Sequence, residues 1–420
     1  MGWEDELKPF LSAQSAWAAD LLGRLIAYPS TTGAEAGIQA ALLDILNGAG
    51  LPASAEPIDE AIVRDPDYTP VEGHAGYAGR PNVLVRLEGM GGGRTVILNT
   101  HTDVVPGQDG MFTAAIAGGI VRGRGACDAK GQAVTAILAL RAVRELNLDL
   151  TGSVEAQFVV EEEAGGNGSL ALLAAGRKAD AAVVLEPTGL VPRFANRGAA
   201  WFRLTVEGLS THMGRYHEGR SAFDELLGLV PILKDYEAQL RLESKGVAGF
   251  PDEPSPVVVN IGRVRAGDWP STVPGQCLVE GGIAFLPNRT AREIEAEVRG
   301  LIAARATPWA REHARFDLAG LRNEAFQTPP GHPAVRDFSR SAEEVLGPRP
   351  AGGWNASCDA RLFFHRGGMP AIVFGAGDLR HAHAPDEEVR IEDVLRAAEV
   401  LVRFLGRFCG TARKESGHVH

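Results

Sequence analysis

Four short apolar runs in this chain each lead into acidic or histidine residues. Residues 95–98 run into His101-Thr102-Asp103, residues 158–160 into Glu161-Glu162-Glu163, and residues 182–185 into Glu186. Residues 372–374 are followed at short distance by His383. A fifth piece, Asp128, lies in the glycine-rich stretch 123–131, ahead of an alanine-rich helix expected over 132–146. Apolar runs of this length read as buried strands of a parallel sheet. In open α/β sheets, ligands bind where the carboxyl ends of the strands open into a crevice. Two histidines and several carboxylates delivered to one edge make a metal site, with zinc the first expectation.

The chain has 420 residues, beyond the roughly 250–300 at which one core stops growing, so two domains are expected. Residues 14–47 read as helical with a break at Tyr28-Pro29-Ser30, and 52–80, rich in Pro, Asp and Gly, as a long surface loop. Strands then alternate with helices up to residue 197, which predicts an α/β domain with a mixed, mainly parallel sheet covered by helices. Near 198 the pattern changes. Residues 201–208 alternate apolar and polar, a helix is expected over 221–241, and strand-like runs follow at 257–264 and 277–285 before a charged helix at 290–304. Residues 198–313 therefore read as an inserted α+β domain, an antiparallel sheet with two helices. The first domain, 1–197, resumes over 314–409 and closes with a helix at 391–408; residues 410–420 read as a disordered tail.

The net charge of −11 argues against nucleic acid or an anionic membrane as partner. Residues 1–6 are acidic and carry no apolar core, so no signal peptide is expected, and no run approaches the ~20 apolar residues of a membrane span. Cys127, Cys277, Cys358 and Cys409 are far apart, as in a reducing cytoplasm.

Each motif alone has a bland alternative. His101 with Asp103 two residues on offers a carboxylate that can orient a metal-bound imidazole, but lone histidines are common. Asp128 can approach an ion closely and bridge two. Walker spacing is absent from its loop. The triplet 161–163 reads either as a solvated acidic turn or as a metal ligand beside a general base. Glu186 reads equally as a cap. His381 and His383 compete as ligands, and His212 reads as an ordinary loop histidine.

Taken in order over residues 15–408, these motifs resemble the di-zinc amidohydrolases and peptidases that include acetylornithine deacetylase, succinyl-diaminopimelate desuccinylase, aminoacylase and the glutamate carboxypeptidases. The motifs are His101-x-Asp103, Gly125–Gly131, Glu161–Gly166, Glu186-Pro187-Thr188 and Ala382–Glu387. The resemblance implies a zinc-exopeptidase-like catalytic domain with a lid and dimerisation insert. It implies two divalent metal ions, zinc first with cobalt or manganese as alternatives. Asp128 would bridge them, His101 and Glu186 would complete one site, and Glu163 and His383 the other. Glu162 would be the general base and Asp103 would orient His101; Glu161 stands where relatives carry Asp. His212 would reach the partner subunit's site in a homodimer. Asn260, Arg361 and the loop from Gly375 would contact substrate. Ala284 stands where many relatives place a carboxylate-clamping Arg. The implied reaction is N-deacylation of an N-acyl amino acid or related small N-acyl amine. The alternatives are a di- or exopeptidase, hydrolysis of another C–N bond as in a deformylase or deaminase, and a catalytically silent binding protein.

Overall fold

The computed structural model describes residues 2–71, 73, 76–250, 256–349 and 351–412. The chain forms two compact units, one of Met1–Phe194, Thr328–Gly352 and Cys358–His420, the other of Ala195–Gln327 and Gly353–Ser357. In chain order, the first segment carries α1 (Trp3–Ala13), α2 (Ser15–Ile26), α3 (Ala36–Gly48), β1 (Ala53–Glu56), β2 (Asn82–Leu87) and β3 (Val96–His101). A small hairpin of β4 (Ala115–Ala117) and β5 (Ile120–Arg122) precedes α4 (Lys130–Glu145), β6 (Val154–Val159), α5 (Asn167–Ala174), β7 (Ala181–Val184) and β8 (Arg193–Asn196). The second unit holds β9 (Gly198–Glu207), α6 (Ala222–Glu243), β10 (Val258–Ala266), β11 (Gln276–Phe285), α7 (Ala291–Arg305), α8 (Pro308–His313), β12 (Ala314–Asn323) and β13 (Phe326–Gln327). The chain closes with α9 (Pro333–Leu346), β14 (Gly352–Trp354), α10 (Ala360–His365), β15 (Ala371–Val373), β16 (Glu388–Arg390) and α11 (Ile391–Phe408).

The first unit is built on the sheet order β1-β2-β6-β3-β7-β15-β8. Its centre is parallel: β3 runs with β6 and β7, and β15 runs with β7. Register decides where the functional loops emerge. His101 lies beside Val159, Asn99 beside Val184, and Val184 beside Val373. The chain therefore leaves β3, β6, β7 and β15 at one edge, where His101–Asp103, the acidic triplet, Glu186 and the Gly375 loop begin. All six residues of β3 and of β6 are buried, as befits strands covered on both faces. On α11 the apolar residues Val394, Leu401, Phe404, Leu405 and Phe408 are buried, and Phe404 packs on Phe338 of α9 with ring centroids 5.0 Å apart.

In the second unit the antiparallel order is β10-β11-β9-β12. Alternation sends Leu204, Val206, Val279, Ile283 and Phe285 into a core with Leu226 and Leu233 of α6 and Ile294 and Val298 of α7. The other face carries Trp201, 56% exposed, and the ion pairs of Glu280 with Arg203 and Arg263.

Several expectations differ from what is found. α1 lies upstream of the expected helical region: Leu7 and Leu11, four apart, are buried, and Glu4, Asp5 and Glu6 sit in its first turn, where acids favour a helix start. The segment 52–80 is not all surface loop. It contains β1 and ends in Tyr77 and Arg80, each 3% exposed, because buried carboxylates elsewhere in the unit pair with them. β12, where a return to the first domain was expected at 314, instead pairs with β9. Of the expected disordered tail, residues 410–412 are bonded to 149–151: Thr151 N–H donates to Gly410 O at 2.9 Å and Ala412 N–H to Asp149 O at 2.8 Å. Residues 413–420 lie outside the described residues. Among the described residues no helix is long and apolar enough to cross a membrane.

Candidate metal centre

His101 ends β3 and is 1% exposed. Its Nε2 lies 3.0 Å from Asp128 Oδ1 and 4.0 Å from Glu186 Oε2. His383, at φ +62°, points Nε2 to Glu163 Oε1 at 3.1 Å and to Asp128 Oδ2 at 3.5 Å. Asp128 thus lies between the two imidazoles. One donor atom each from His101, Asp128 and Glu163 falls within 4.8 Å of the others, and the same is true of His101, Glu162 and Glu186. No such contact with these carboxylates is formed by His381 among the described residues.

The loops that deliver these groups are themselves held. Asp128 and Cys127 both donate their backbone N–H to Glu387 Oε1 at 3.1 Å, and Arg124 Nη1 donates to Glu387 Oε2 at 2.7 Å. Arg124 Nη2 also donates to the His383 carbonyl at 3.3 Å, so one arginine joins the Asp128 loop to the His383 loop. Asp103 does more than face the imidazole. Its backbone carbonyl is the nearest partner of His101 Nδ1, at 2.9 Å, with its carboxylate at 3.5 Å. The carboxylate accepts from Glu162 N–H at 3.0 Å, Glu163 N–H at 3.1 Å and the Thr32 hydroxyl at 3.0 Å.

Two more groups of α10 and its N-cap stand against this cluster. Asp359 is 1% exposed, and its Oδ2 has no hydrogen-bond partner among the described residues. Arg361 Nη2 donates to the Gly165 carbonyl at 2.6 Å, while its buried Nε has no such partner. Gly375 N–H donates to Thr188 Oγ1 at 3.1 Å, and a Cβ at Gly375 would meet Gln132 Oε1 at 2.2 Å and the Glu186 carbonyl at 2.6 Å. Glycine there lets β15's exit pack against β7's.

The electrostatics call for cations. Burial, then the charge of Glu186, pushes the Glu162 carboxyl well above the ordinary range. Burial raises Glu186 well above it too, with Asp128 adding to the shift and His101 opposing it. Burial and Asp128 raise Glu163, and burial raises Asp359. For His101, burial opposes the charge, but bonds with Asp103 and Asp128 outweigh it and raise the imidazole well above its usual value. Carboxylates this crowded around the buried His101 and the more exposed His383 cannot all ionise without added positive charge. The donor set of carboxylate oxygens and imidazole nitrogens, with the orphaned Asp359 oxygen beside it, fits two divalent ions.

His212 and Asn260 belong to the second unit. His212 caps a short helical turn at 213–218 and is exposed; its Nδ1 accepts from Gly214 N–H at 3.1 Å. Asn260 is exposed on β10 opposite Gly282. Ala284 lies on the same sheet face as Gly282 and Glu280 and is 6% exposed, so no guanidinium stands at that position. Sequence reasoning missed Glu387, Tyr77 and Arg80 as supports of the site; the Pro385-Asp386-Glu387 motif carried the one available signal.

Residues 97–407 match peptidase family M20/M25/M40. The chain belongs to that family. It is 30% identical over 418 residues to a succinyl-diaminopimelate desuccinylase of Gluconacetobacter diazotrophicus, covering 95% of this chain and 99% of that protein. It is 26% identical over 362 residues to an N-formyl-4-amino-5-aminomethyl-2-methylpyrimidine deformylase of Halalkalibacterium halodurans, covering 79% and 84%. In fold it matches the aminopeptidase PepT of Bacillus cereus, with a TM-score of 0.73 at 21% identity over 94% of this chain and 98% of that one. This M20 protein is accordingly a metal-dependent hydrolase of amide C–N bonds.

Proposed function

We propose that this M20 hydrolase removes the acyl group from a small N-acyl amine, with N-acyl amino acids the first substrate class, as a cytoplasmic homodimer. The observation that carries this is the paired cluster around His101, with Asp128 within 3.0 Å of one imidazole and 3.5 Å of the other. Asp128 would bridge two ions, zinc before cobalt or manganese, with His101 and Glu186 on one side and Glu163 and His383 on the other. When bound there, such ions act as Lewis acids and make water available as hydroxide near neutral pH. Glu162, a half-buried carboxyl beside Glu186 and His101, takes the proton from the attacking water and hands it to the leaving amine. Asp103 holds the backbone amides of Glu162 and Glu163, so the base and its neighbour keep their aim.

His212 accepts at Nδ1 from Gly214, which leaves the proton of the neutral ring on Nε2. That N–H would donate to the scissile carbonyl in the partner subunit's site, a stabilisation worth roughly 3–4 kcal/mol where such a donor has been removed. Asn260 and Arg361 would contact the substrate, Arg361 through its unpartnered Nε; Gly375 supports the Glu186 strand end.

A second reading is favoured by Ala284. Without a guanidinium at this position one bidentate clamp for an α-carboxylate is missing, which suits an amine that carries no carboxylate, such as an acylated aminopyrimidine. One panel separates the two: amine release from N-acetyl, N-formyl and N-succinyl amino acids, dipeptides and acylated aminopyrimidines, with metal-loaded protein and a chelator control. Chelator-sensitive release from an acylated amino acid is expected. Release only from aminopyrimidines establishes the second reading, and no release from any compound by protein holding two metals refutes both.

A further inference from the structure

Glu161 and Arg80 take no part in the chemistry above, yet they are among the most constrained groups in the first unit. Glu161 is fully buried and sits at φ +59°, a left-handed conformation that a glutamate holds only when its surroundings impose it. Its carboxylate accepts from Arg80 Nη1 at 2.8 Å, from the Tyr77 hydroxyl at 2.7 Å and from Asn167 Nδ2 at 3.0 Å. The same Arg80 Nη1 donates to Glu35 Oε2 at 2.8 Å, and Nη2 donates to the Gly76 carbonyl at 2.7 Å. The guanidinium also lies 5.0 Å from the Tyr77 ring centroid.

These bonds converge on the same stretch of backbone from two sides. Glu35 accepts from Gly33 N–H at 2.9 Å, and the adjacent Thr32 donates to Asp103, whose carboxylate holds the amides of Glu162 and Glu163. From the other side, Arg80, Tyr77 and Asn167 hold the residue immediately before them. Asn167 is itself fixed by Thr69, whose N–H donates to its Oδ1 at 3.0 Å and whose carbonyl accepts from its Nδ2 at 2.9 Å.

We infer that Arg80 and Tyr77, acting through the Glu161 carboxylate, are positioning residues that set the aim of Glu162 and Glu163. This rests on the reading of Glu162 as base and Glu163 as ligand. Charge-assisted bonds of this kind are the strong, directional ones. The geometry is specific to a glutamate: one methylene less would draw the carboxylate away from Arg80 and Tyr77 together.

Replacing Arg80 would strand two buried carboxylates and confuse folding with positioning, so the informative variants are Glu161→Gln, Glu161→Asp and Tyr77→Phe. Val85→Ala, in the buried middle of β2, serves as a control that loosens the core without touching the loop. In metal-loaded enzyme, kcat is expected to fall about 10–100-fold in Glu161→Gln and Glu161→Asp, as when outer partners of metal ligands are removed, with KM little changed. Tyr77→Phe should fall less, and adding it to Glu161→Gln should cost nothing further. Metal release to a chromogenic chelator should speed up by about tenfold in Glu161→Gln and stay at the wild-type rate in Val85→Ala. A wild-type kcat in Glu161→Gln, or a loss no larger than that of Val85→Ala, overturns the inference. Should wild type itself prove inactive on every substrate, the functional reading fails. The chelator arm then still decides, since a wild-type release rate in Glu161→Gln refutes the positioning role.

Discussion

Glu162 and His101 are both pushed toward the protonated form, and burial acts in opposite directions on the two. Burial first, then the charge of Glu186, raises the carboxyl; burial lowers the imidazole, but its bonds with Asp103 and Asp128 outweigh that and raise it. Each group therefore binds a proton more tightly in the folded, metal-free protein than in the unfolded chain. The contribution of Glu162 to the stability of the metal-free protein, fully present below the ordinary carboxyl value of 4.5, should be lost as pH rises through its raised value. The contribution of His101, fully present below 6.5, should be lost as pH rises through its raised value. Metal must displace these protons. Titration of zinc into metal-free protein near pH 7, in two buffers of different ionisation enthalpy, should show net proton release. Binding with no proton exchange would contradict the protonated cluster. Asp128→Ala should abolish binding of at least one ion, read by elemental analysis.

Between β6 and α5, the element that carries the acids depends on a turn with no room for a side chain. Gly166 sits at φ +83°, and a Cβ there would meet Asp359 Oδ1 at 2.1 Å. Gly166→Ala is expected to cost roughly 1–3 kcal/mol and to lower metal retention, measured by thermal unfolding and metal content together; unchanged values of both would show the turn to be free of the site. At this scale much was readable in advance. The strands that deliver His101, the triplet and Glu186 are short and carry the apolar runs 96–98, 158–160 and 182–185 close to those residues, and an apolar run followed by acids or histidine is a local signal. The Glu35–Arg80–Glu161 network was not readable, because its members lie 45 and 81 positions apart and Arg80 sits in a stretch whose Pro, Asp and Gly content says only loop. The role of Asp103 was half legible. Its spacing to His101 pointed to the imidazole, whereas its bonds to the amides at 162 and 163 depend on the β3–β6 register, which no local pattern encodes. β12 was misjudged because a strand at the sheet edge carries the same alternation whichever sheet it joins.

For the molecule as a whole, the question is whether one chain suffices. His212 is exposed and its ring is preset to donate from Nε2, which is what a group acting on a partner subunit's substrate needs. His212→Ala and Glu162→Gln should each be nearly inactive alone with metal content intact. Mixed and reassembled, they should regain up to about a quarter of wild-type activity on statistical pairing of two subunits, because one hybrid site then holds both functional groups. No recovery from hybrids shown to have formed would place the histidine outside cross-subunit catalysis.

In the proposed mechanism Glu162 moves the proton while the neighbouring acids and histidines hold the ions. Metal content and amine release measured on the same samples of wild type and Glu162→Gln separate these two roles. Two ions per chain in both proteins, with turnover in the variant lower by at least about 10²–10⁴-fold, is the expected result for loss of a general base. Full turnover in a variant that still binds both ions would contradict it.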